Sequence, residues 1–231
     1  MLISEIFYSI QGEGELTGVP SVFIRASGCN LRCRWCDTPY ASWNPEGVDM
    51  DVEQILEAVK IYPAQHVVLT GGEPMIARNI YDLAAVIREA GYHITIETAG
   101  TVAPEGIACD LASISPKFSN STPLEGSIDP AWIKRHEEAR HQPDVLGKWI
   151  ETYPHQIKLV VADEADAVEA IAALKAEFPE LAPYKIHLMP EGTDARTLAV
   201  RESWLIDFCK KFGYRYCDRL HIRLFGNTKG T

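Results

Sequence analysis

The sequence predicts an α/β protein in which strands and helices alternate around a parallel sheet or barrel. Short apolar runs with many β-branched residues recur along the chain, and amphipathic helical segments separate them. Glycine-rich or polar segments follow most of the apolar runs. Because crossover helices join neighbouring parallel strands, this alternation favours a parallel arrangement. A chain of 231 residues fits one large domain, and we expect a single domain over 1–231.

Seven runs have the length and composition of strands. Most are short continuous apolar stretches, which is typical of strands covered on both faces. The last of them, with the residues after it, predicts a C-terminal strand and tail over 219–231. The seven predicted strands are 21–26, 66–70, 93–98, 111–115, 156–161, 185–189 and 219–225.

Five segments have helical periodicity. In the first, Val52, Ile55, Leu56 and Val59 fall at i, i+3, i+4 and i+7, and Asp51 stands where a capping residue belongs. The turn-rich stretch 118–129 predicts a loop. The five predicted helices are 51–62, 80–90 (ended by Gly91), 130–141 (with Pro130 in its first turn), 165–178 and 197–212.

Polar and glycine-rich segments follow the first six predicted strands. In parallel α/β folds the active site gathers at the carboxyl ends of the strands. We therefore expect these segments to meet around one site. They are the cysteine loop 28–38, GGEP (71–74), AG (99–100), PK (116–117), ADE (162–164) and PEG (190–192).

Composition and charge narrow the class of partner. The net charge is −10, so an electrostatic grip on nucleic-acid phosphates is not expected and a small-molecule partner is favoured. The first residues have no cationic segment before an apolar run, and no window approaches the roughly 18 apolar residues of a membrane span. We expect a cytoplasmic protein with reduced thiols.

Three of the six cysteines, Cys29, Cys33 and Cys36, crowd into eight positions. A structural zinc site closes with four nitrogen or sulfur ligands, and the nearest histidine in sequence is His66. The alternative is a cubane iron–sulfur cluster on three thiolates, in which one iron keeps an open position for a substrate or cosubstrate. Cys109, Cys209 and Cys217 are scattered and are expected to be small buried residues.

The spacing Cys-x₃-Cys-x₂-Cys, the aromatic Trp35 before the last cysteine and the later GGEP resemble the radical S-adenosylmethionine (SAM) superfamily. The resemblance implies an incomplete TIM-like barrel of parallel strands with outer helices, a 4Fe-4S cluster on the three cysteines, and SAM bound at the open iron. It implies SAM contacts for the following residues: Trp35, Asp37, Gly72, Glu73, Ser115, Pro116 and Lys117.

Further segments resemble one family of this superfamily, the 7-carboxy-7-deazaguanine synthases. They are 7–25, CDT (36–38), SISPK (113–117) and the C-terminal 219–231. The resemblance implies a carbon–nitrogen lyase that converts 6-carboxy-5,6,7,8-tetrahydropterin to 7-carboxy-7-deazaguanine, a precursor of queuosine and other 7-deazapurines. It also implies Mg²⁺ on Thr38, a flavodoxin-like or similar electron donor and a homodimer. The implied substrate contacts are Ile10, Gln11, Gly12, Arg25 and Thr70.

Two other functions would account for some of the same residues. A radical SAM activase, which makes a glycyl radical on a partner protein, would share the cysteine spacing but has no reason to carry QGEG, CDT and SPK together. A non-enzymatic zinc or cluster-binding module would explain the cysteines alone. The sequence leaves open the roles of Glu97 and of 189–192.

Overall fold

Nine strands form one continuous sheet in the computed structural model, which describes all 231 residues. The strand order is β3-β1-β2-β4-β5-β6-β7-β8-β9. The strands are β1 (Leu2–Ile10), β2 (Pro20–Ala26), β3 (Val48–Asp49), β4 (His66–Gly71), β5 (His93–Thr98), β6 (Leu111–Ile114), β7 (His155–Val161), β8 (Ile186–Pro190) and β9 (Arg215–Tyr216).

Eight helices accompany the sheet. The capping box expected at Asp51 is present, since its carboxylate accepts the Gln54 backbone N–H and the Gln54 side chain accepts the Asp51 N–H. The helices are α1 (Pro39–Ser42), α2 (Val52–Lys60), α3 (Ile80–Glu89), α4 (Pro130–Ala139), α5 (Pro143–Thr152), α6 (Glu164–Glu177), α7 (Ala195–Phe212) and α8 (Leu220–Phe225).

The sheet is an open barrel. From β2 to β9 neighbouring strands are parallel, whereas β1 pairs antiparallel with both β2 and β3, and the two edge strands do not pair with each other. The predicted α/β fold with an incomplete TIM-like barrel is therefore confirmed. The carboxyl ends of the parallel strands meet at one rim, where the loops that follow them converge.

Apolar side chains between the sheet and the helices form the core. Ile55 and Val59 of α2, with Leu83 and Ile87 of α3, are fully buried against strand residues. Each such side chain contributes roughly 1.5–3 kcal/mol through burial. The apolar residues with helical periodicity in the sequence are thus the ones that pack the helices against the outside of the barrel.

One predicted strand is wrong: 219–225 contains the helix α8. The short edge strand β9 occupies the place beside β8, and the chain then leaves the sheet. Of the run Leu220–Phe225 only Ile222 is buried, while Leu224 and Phe225 are exposed. A brief apolar run does not distinguish a strand from a helix, and here it had suggested the wrong one.

Two long elements, β1 and α5, were not predicted, and neither were the short α1, β3 and β9. The strand β1 pairs with β2 over seven residue pairs and precedes the alternating pattern, so the βαβ reading of the chain did not include it. The helix α5 follows α4 after a break of three residues, and Trp149 in it is buried, with its indole N–H donating to the Val102 carbonyl at 2.8 Å. No helix is long and apolar enough to span a bilayer.

Candidate active site

A cavity of about 380 Å³ lies at the carboxyl ends of the strands. It collects most of the residues that the sequence predicted for the site. Those that line it are Ile10, Gln11, Gly12, Arg25, Cys29, Cys33, Trp35, Cys36, Asp37, Thr38, Thr70, Gly72, Ser115 and Lys117. Glu73 and Pro116 do not line it.

The loop after β2 carries the three cysteines and is fastened by its backbone. Gly28 adopts φ +111°, a conformation that other residues rarely adopt, and its N–H donates to the Ala41 carbonyl at 2.7 Å. The Arg32 guanidinium donates to the Cys29 carbonyl at 2.9 Å and stacks on the Trp132 ring at 3.8 Å. These contacts fix the thiols at the cavity wall.

The three thiols suit a cluster better than one ion. Burial raises the pKa of Cys29 to about 11 and that of Cys33 to about 12, so these thiols stay protonated near neutral pH unless a metal takes the thiolates. No three His, Cys, Asp or Glu side chains converge on a point that could hold one ion. In a cubane each thiolate binds a different iron, so the sulfurs need not converge on a point.

The GGEP segment after β4 packs directly behind the cysteine loop. A Cβ atom on Gly72 would lie 2.2 Å from the Gly28 carbonyl oxygen and 2.7 Å from the Cys29 Cβ, so no larger residue fits. The Glu73 carboxylate is buried and accepts from the Thr98 hydroxyl and the Ala99 N–H, both at 2.8 Å. Burial raises the pKa of Glu73 against the pull of these bonds. Glu73 thus braces the rim instead of facing the cavity.

Lys117 brings a cation to the opposite wall. Its ammonium donates to the Ser115 hydroxyl at 2.7 Å and to the Ser115 carbonyl at 2.5 Å. It lies 5.4 Å from the centre of the Trp35 ring, whose N–H donates to the Asn120 carbonyl at 3.0 Å. Trp35 therefore connects the cysteine loop to the loop after β6.

Arg25, near the end of β2, presents part of its guanidinium to the cavity. Its Nε donates to Glu5 at 2.6 Å, and the Tyr40 hydroxyl donates to the same carboxylate oxygen at 2.9 Å. Neither terminal NH₂ group of Arg25 hydrogen-bonds within the protein. Beside it the rings of Phe7 and Phe23 stack at 5.0 Å and form an apolar wall.

A closed ring of hydrogen bonds at the cavity joins Gln11, Glu13, Glu97 and Lys158. The Lys158 ammonium donates to Glu13 at 2.8 Å and also to Glu97. The Gln11 amide donates to Glu97 at 3.3 Å and accepts the Glu13 backbone N–H at 3.1 Å. Sequence analysis missed Glu13 and Lys158. The available signal was a lysine inside the apolar strand QIKLVV.

A second ion-pair bridge extends from this ring to the cysteine loop. Arg219 donates to Glu13 at 3.2 Å, to Asp37 and to the Gly192 carbonyl. Burial opposes the charged forms, but the pairing outweighs it: the pKa of Glu13 falls well below its usual range, and the pKa values of Lys158 and Arg219 rise. The C-terminal residues Gly226–Thr231 also line the cavity, although the sequence assigned them no role.

The sequence profile of the Radical SAM superfamily matches residues 23–202. This match assigns the open barrel with its three-cysteine loop to the class of radical SAM proteins.

Relatives define the family more closely. A 7-carboxy-7-deazaguanine synthase from Rhodopirellula baltica is 49% identical over 232 residues, covering 100% of this chain and 89% of the relative. A synthase of the same name from Halobacterium salinarum is 42% identical, and the match covers 99% of this chain and 92% of the relative. The crystal structure of QueE from Escherichia coli superposes with a TM-score of 0.68 at 26% identity. The superposition covers 95% of this chain and 94% of the QueE chain. The chain therefore belongs to the 7-carboxy-7-deazaguanine synthase family of the radical SAM superfamily.

Proposed function

We propose that this enzyme converts 6-carboxy-5,6,7,8-tetrahydropterin to 7-carboxy-7-deazaguanine, a carbon–nitrogen lyase step in queuosine and 7-deazapurine biosynthesis. The observation that carries this proposal is the 49% identity to a synthase of that name along the whole chain. The cavity supports it, because cysteine thiols, a basic wall and an aromatic wall surround one space of about 380 Å³. The proposed reaction contracts the pterin ring and releases one nitrogen as ammonia.

The family implies a 4Fe-4S cluster and SAM, and the donor set fits them. Cys29, Cys33 and Cys36 would hold three irons, and the loop supplies no fourth cysteine. When bound, the cluster and SAM would supply the radical chemistry that removes hydrogen from substrate C6. The chain's own part is to seat both groups, orient the substrate and exclude water.

We assign SAM contacts to the wall around the cysteine loop. Trp35, Asp37, Gly72, Ser115 and Lys117 line the cavity there. At Gly72 the bare backbone permits a close approach. Glu73 contributes from behind, since its carboxylate fixes the backbone at Ala99, and Pro116 holds the backbone between its two lining neighbours.

Substrate contacts are assigned to the wall that β1 and β2 provide, with Ile10, Gln11, Gly12, Arg25 and Thr70. Because Glu5 occupies the Arg25 Nε, the two free NH₂ groups can bind the pterin carboxylate. Gly12 has no room for a side chain, since a Cβ atom would lie 2.1 Å from the His221 ring, so it offers only backbone groups.

A Mg²⁺ ion at Thr38 belongs to the same proposal. Thr38 precedes α1 but makes no capping hydrogen bond with its side chain. Its hydroxyl has only a long contact of 3.9 Å with the Cys36 sulfur, so it is available as a ligand. A hydroxyl is a weak ligand by itself, and Mg²⁺ often takes its negative charge from the substrate. The carboxylate that Arg25 binds would therefore also coordinate the ion.

Other parts of the proposal concern the setting of the enzyme. A flavodoxin-like or similar one-electron donor would reduce the cluster, and two copies would form a homodimer. One continuous sheet over most of the chain supports a single domain over 1–231. All six cysteines are free, which agrees with a reducing compartment such as the cytoplasm.

The test is turnover by the anaerobically reconstituted protein with the pterin, SAM, Mg²⁺ and dithionite. We expect 7-carboxy-7-deazaguanine and ammonia in equal amounts by mass spectrometry and an ammonia assay. The Cys33→Ala protein is the matched control and should form neither. A wild-type protein that carries the cluster, binds SAM and forms no deazapurine would contradict the proposal.

A further inference from the structure

Lys158 is the most deeply buried cation at the cavity. Only 2% of its surface is exposed, and its ammonium lies between the carboxylates of Glu13 and Glu97. A buried ammonium is costly unless it is paired and hydrogen-bonded. This lysine therefore depends on both carboxylates, and its charge in turn lets the two carboxylates lie close together.

The donors and acceptors of the ring fix the orientation of the Gln11 amide at the substrate wall. The Glu13 N–H reaches the Gln11 amide oxygen at 3.1 Å, so the Gln11 nitrogen must be the atom that donates to Glu97. Lys158 closes the ring by binding the other oxygen of Glu97. Each carboxylate oxygen can accept more than one hydrogen bond, so Glu97 keeps accepting capacity toward the cavity that it lines.

We infer that Lys158 is a positioning residue that holds Glu97 as an oriented carboxylate for the N–H edge of a flat, amino-substituted heterocycle. This inference rests on the proposed function, because the pterin substrate presents such an edge, with an amino group beside a ring N–H. Lys158 acts through Glu97 and Gln11 and makes no substrate contact of its own. Because the Glu97 carboxylate only accepts hydrogen bonds, this arrangement favours a substrate with hydrogen-bond donors on that edge and disfavours one with acceptors there.

Among the charged and titratable groups around it, Lys158 is the cation that donates to Glu97. Glu13 faces the ammonium from the loop after β1, and Cys217 and His221 face it from the C-terminal segment, whereas Arg219 contacts Glu13. His187 faces it from β8. Burial lowers the pKa of His187 to about 3 and that of His221 below its usual range, and raises that of Cys217 to about 12. All three are thus neutral near pH 7, and Arg219 is occupied by Glu13 and Asp37.

The test measures binding of 6-carboxypterin, a fluorescent oxidised analogue, to the reconstituted protein with SAM and Mg²⁺ present. Lys158→Met removes the charge at similar length, and its Kd should rise about 10- to 100-fold, as expected when a charged hydrogen bond at the edge is lost. Lys158→Arg keeps the charge and should recover most of the affinity. Lys148→Met, at an exposed lysine of α5 with no ion-pair partner, is the matched control and should bind like wild type.

A kinetic readout separates positioning from a general loss of structure. In turnover assays Lys158→Met should raise KM more than it lowers kcat. If Lys158→Met fails to fold, the double variant with Glu13→Gln removes the surplus carboxylate and should fold with the same weakened binding.

The outcomes distinguish this inference from the proposed function. A folded Lys158→Met protein, or the folded double variant, that binds 6-carboxypterin like wild type overturns the role of Lys158 while wild type still forms product. Equal weakening in Lys158→Met and Lys158→Arg also overturns it, since a charge-dependent role requires rescue. A wild-type protein that neither binds the pterin nor turns it over defeats the proposed function itself.

Discussion

The buried Arg219 forms an ion pair with Asp37, the residue that follows the last cysteine of the loop, across 182 positions of sequence. The same guanidinium binds Glu13 at 3.2 Å. One side chain from the segment before α8 therefore ties the cysteine loop to the loop after β1. The two loops that we assign to the cluster and to the substrate share one anchor.

Removing this anchor should destabilise the protein. Arg219→Ala leaves Asp37 and Glu13 without their shared cation. Because Asp37 is 33% exposed and Glu13 keeps Lys158, we expect a loss of about 2 kcal/mol, below the range for a fully buried pair. Urea unfolding under anaerobic conditions measures the loss. Arg215→Ala is the control, because Arg215 pairs with Glu15 at 3.4 Å and is 45% exposed, and such pairs contribute about 0–1 kcal/mol. Equal losses in the two variants would contradict a special role for Arg219.

Each cysteine of the loop should be required for the cluster. Replacing Cys29, Cys33 or Cys36 by Ala removes one of three thiolate ligands, so the iron content of the reconstituted protein should fall to near zero. Cys209→Ala is the matched control: this cysteine is buried in α7 away from the cavity, so its variant should keep its iron. Any of the three loop variants that retained a full complement of iron and sulfide would refute the ligand assignment.

Gly72 should tolerate no side chain. In Gly72→Ala the new methyl would collide with backbone atoms of Gly28 and Ala41 at 2.2 and 2.7 Å, so the cysteine loop must move. Overpacking of this kind costs about 1–3 kcal/mol, and we expect weaker SAM binding by equilibrium dialysis as well. Gly147→Ala is the control, because its added methyl meets the Phe178 ring at 3.5 Å, an ordinary contact, inside helix α5. That variant should be as stable as wild type or slightly more so.

The mutation at Thr38 tests the magnesium proposal. Thr38→Val keeps the shape of the side chain but removes the hydroxyl, so the Mg²⁺ concentration for half-maximal turnover should rise by about tenfold. Thr38→Ser retains the hydroxyl and should need nearly the wild-type concentration. If Val and Ser behave alike, Thr38 is not a ligand of the ion.

Stability should fall on mild acidification, in part because of His187. Burial lowers the pKa of His187 to about 3, and its Nε2 has no hydrogen-bond partner. The unfolded chain, with a histidine pKa of about 6.5, takes up the proton first as the pH falls, so stability present above that pH is lost on the way down. Urea unfolding between pH 6.5 and 5 should show His187→Leu with a slope smaller by about 1 kcal/mol per pH unit. An unchanged slope would show that His187 does not contribute.

Most of the fold follows from local pattern in the sequence. Six of the seven predicted strands and all five predicted helices are present, because continuous apolar runs and helical periodicity report which face an element buries. The misassigned run 219–225 and the missed strand β1 lie outside the repeating strand–helix unit. Their structure depends on where the sheet ends, which is a tertiary property that a short run does not encode.

Only part of the site could be predicted from the sequence. Residues in contiguous motifs, such as Cys29 or Gly72, carry their own signal. Lys158 and Arg219 do not, since each acquires its role only from carboxylates at least 61 positions away. Glu73 shows the reverse: it stands in a recognisable motif, yet the structure turns its carboxylate toward Thr98 and Ala99.

The four-membered ring around Lys158 has a consequence for chimeric enzymes. Its members come from three separate parts of the chain: the loop after β1, strand β5 and strand β7. Transplanting the QGEG loop alone into a scaffold with another residue in place of the lysine would leave Glu13 without the ammonium that it binds here. A working hybrid must inherit all three segments together, so the unit of exchange in this barrel is larger than any single loop.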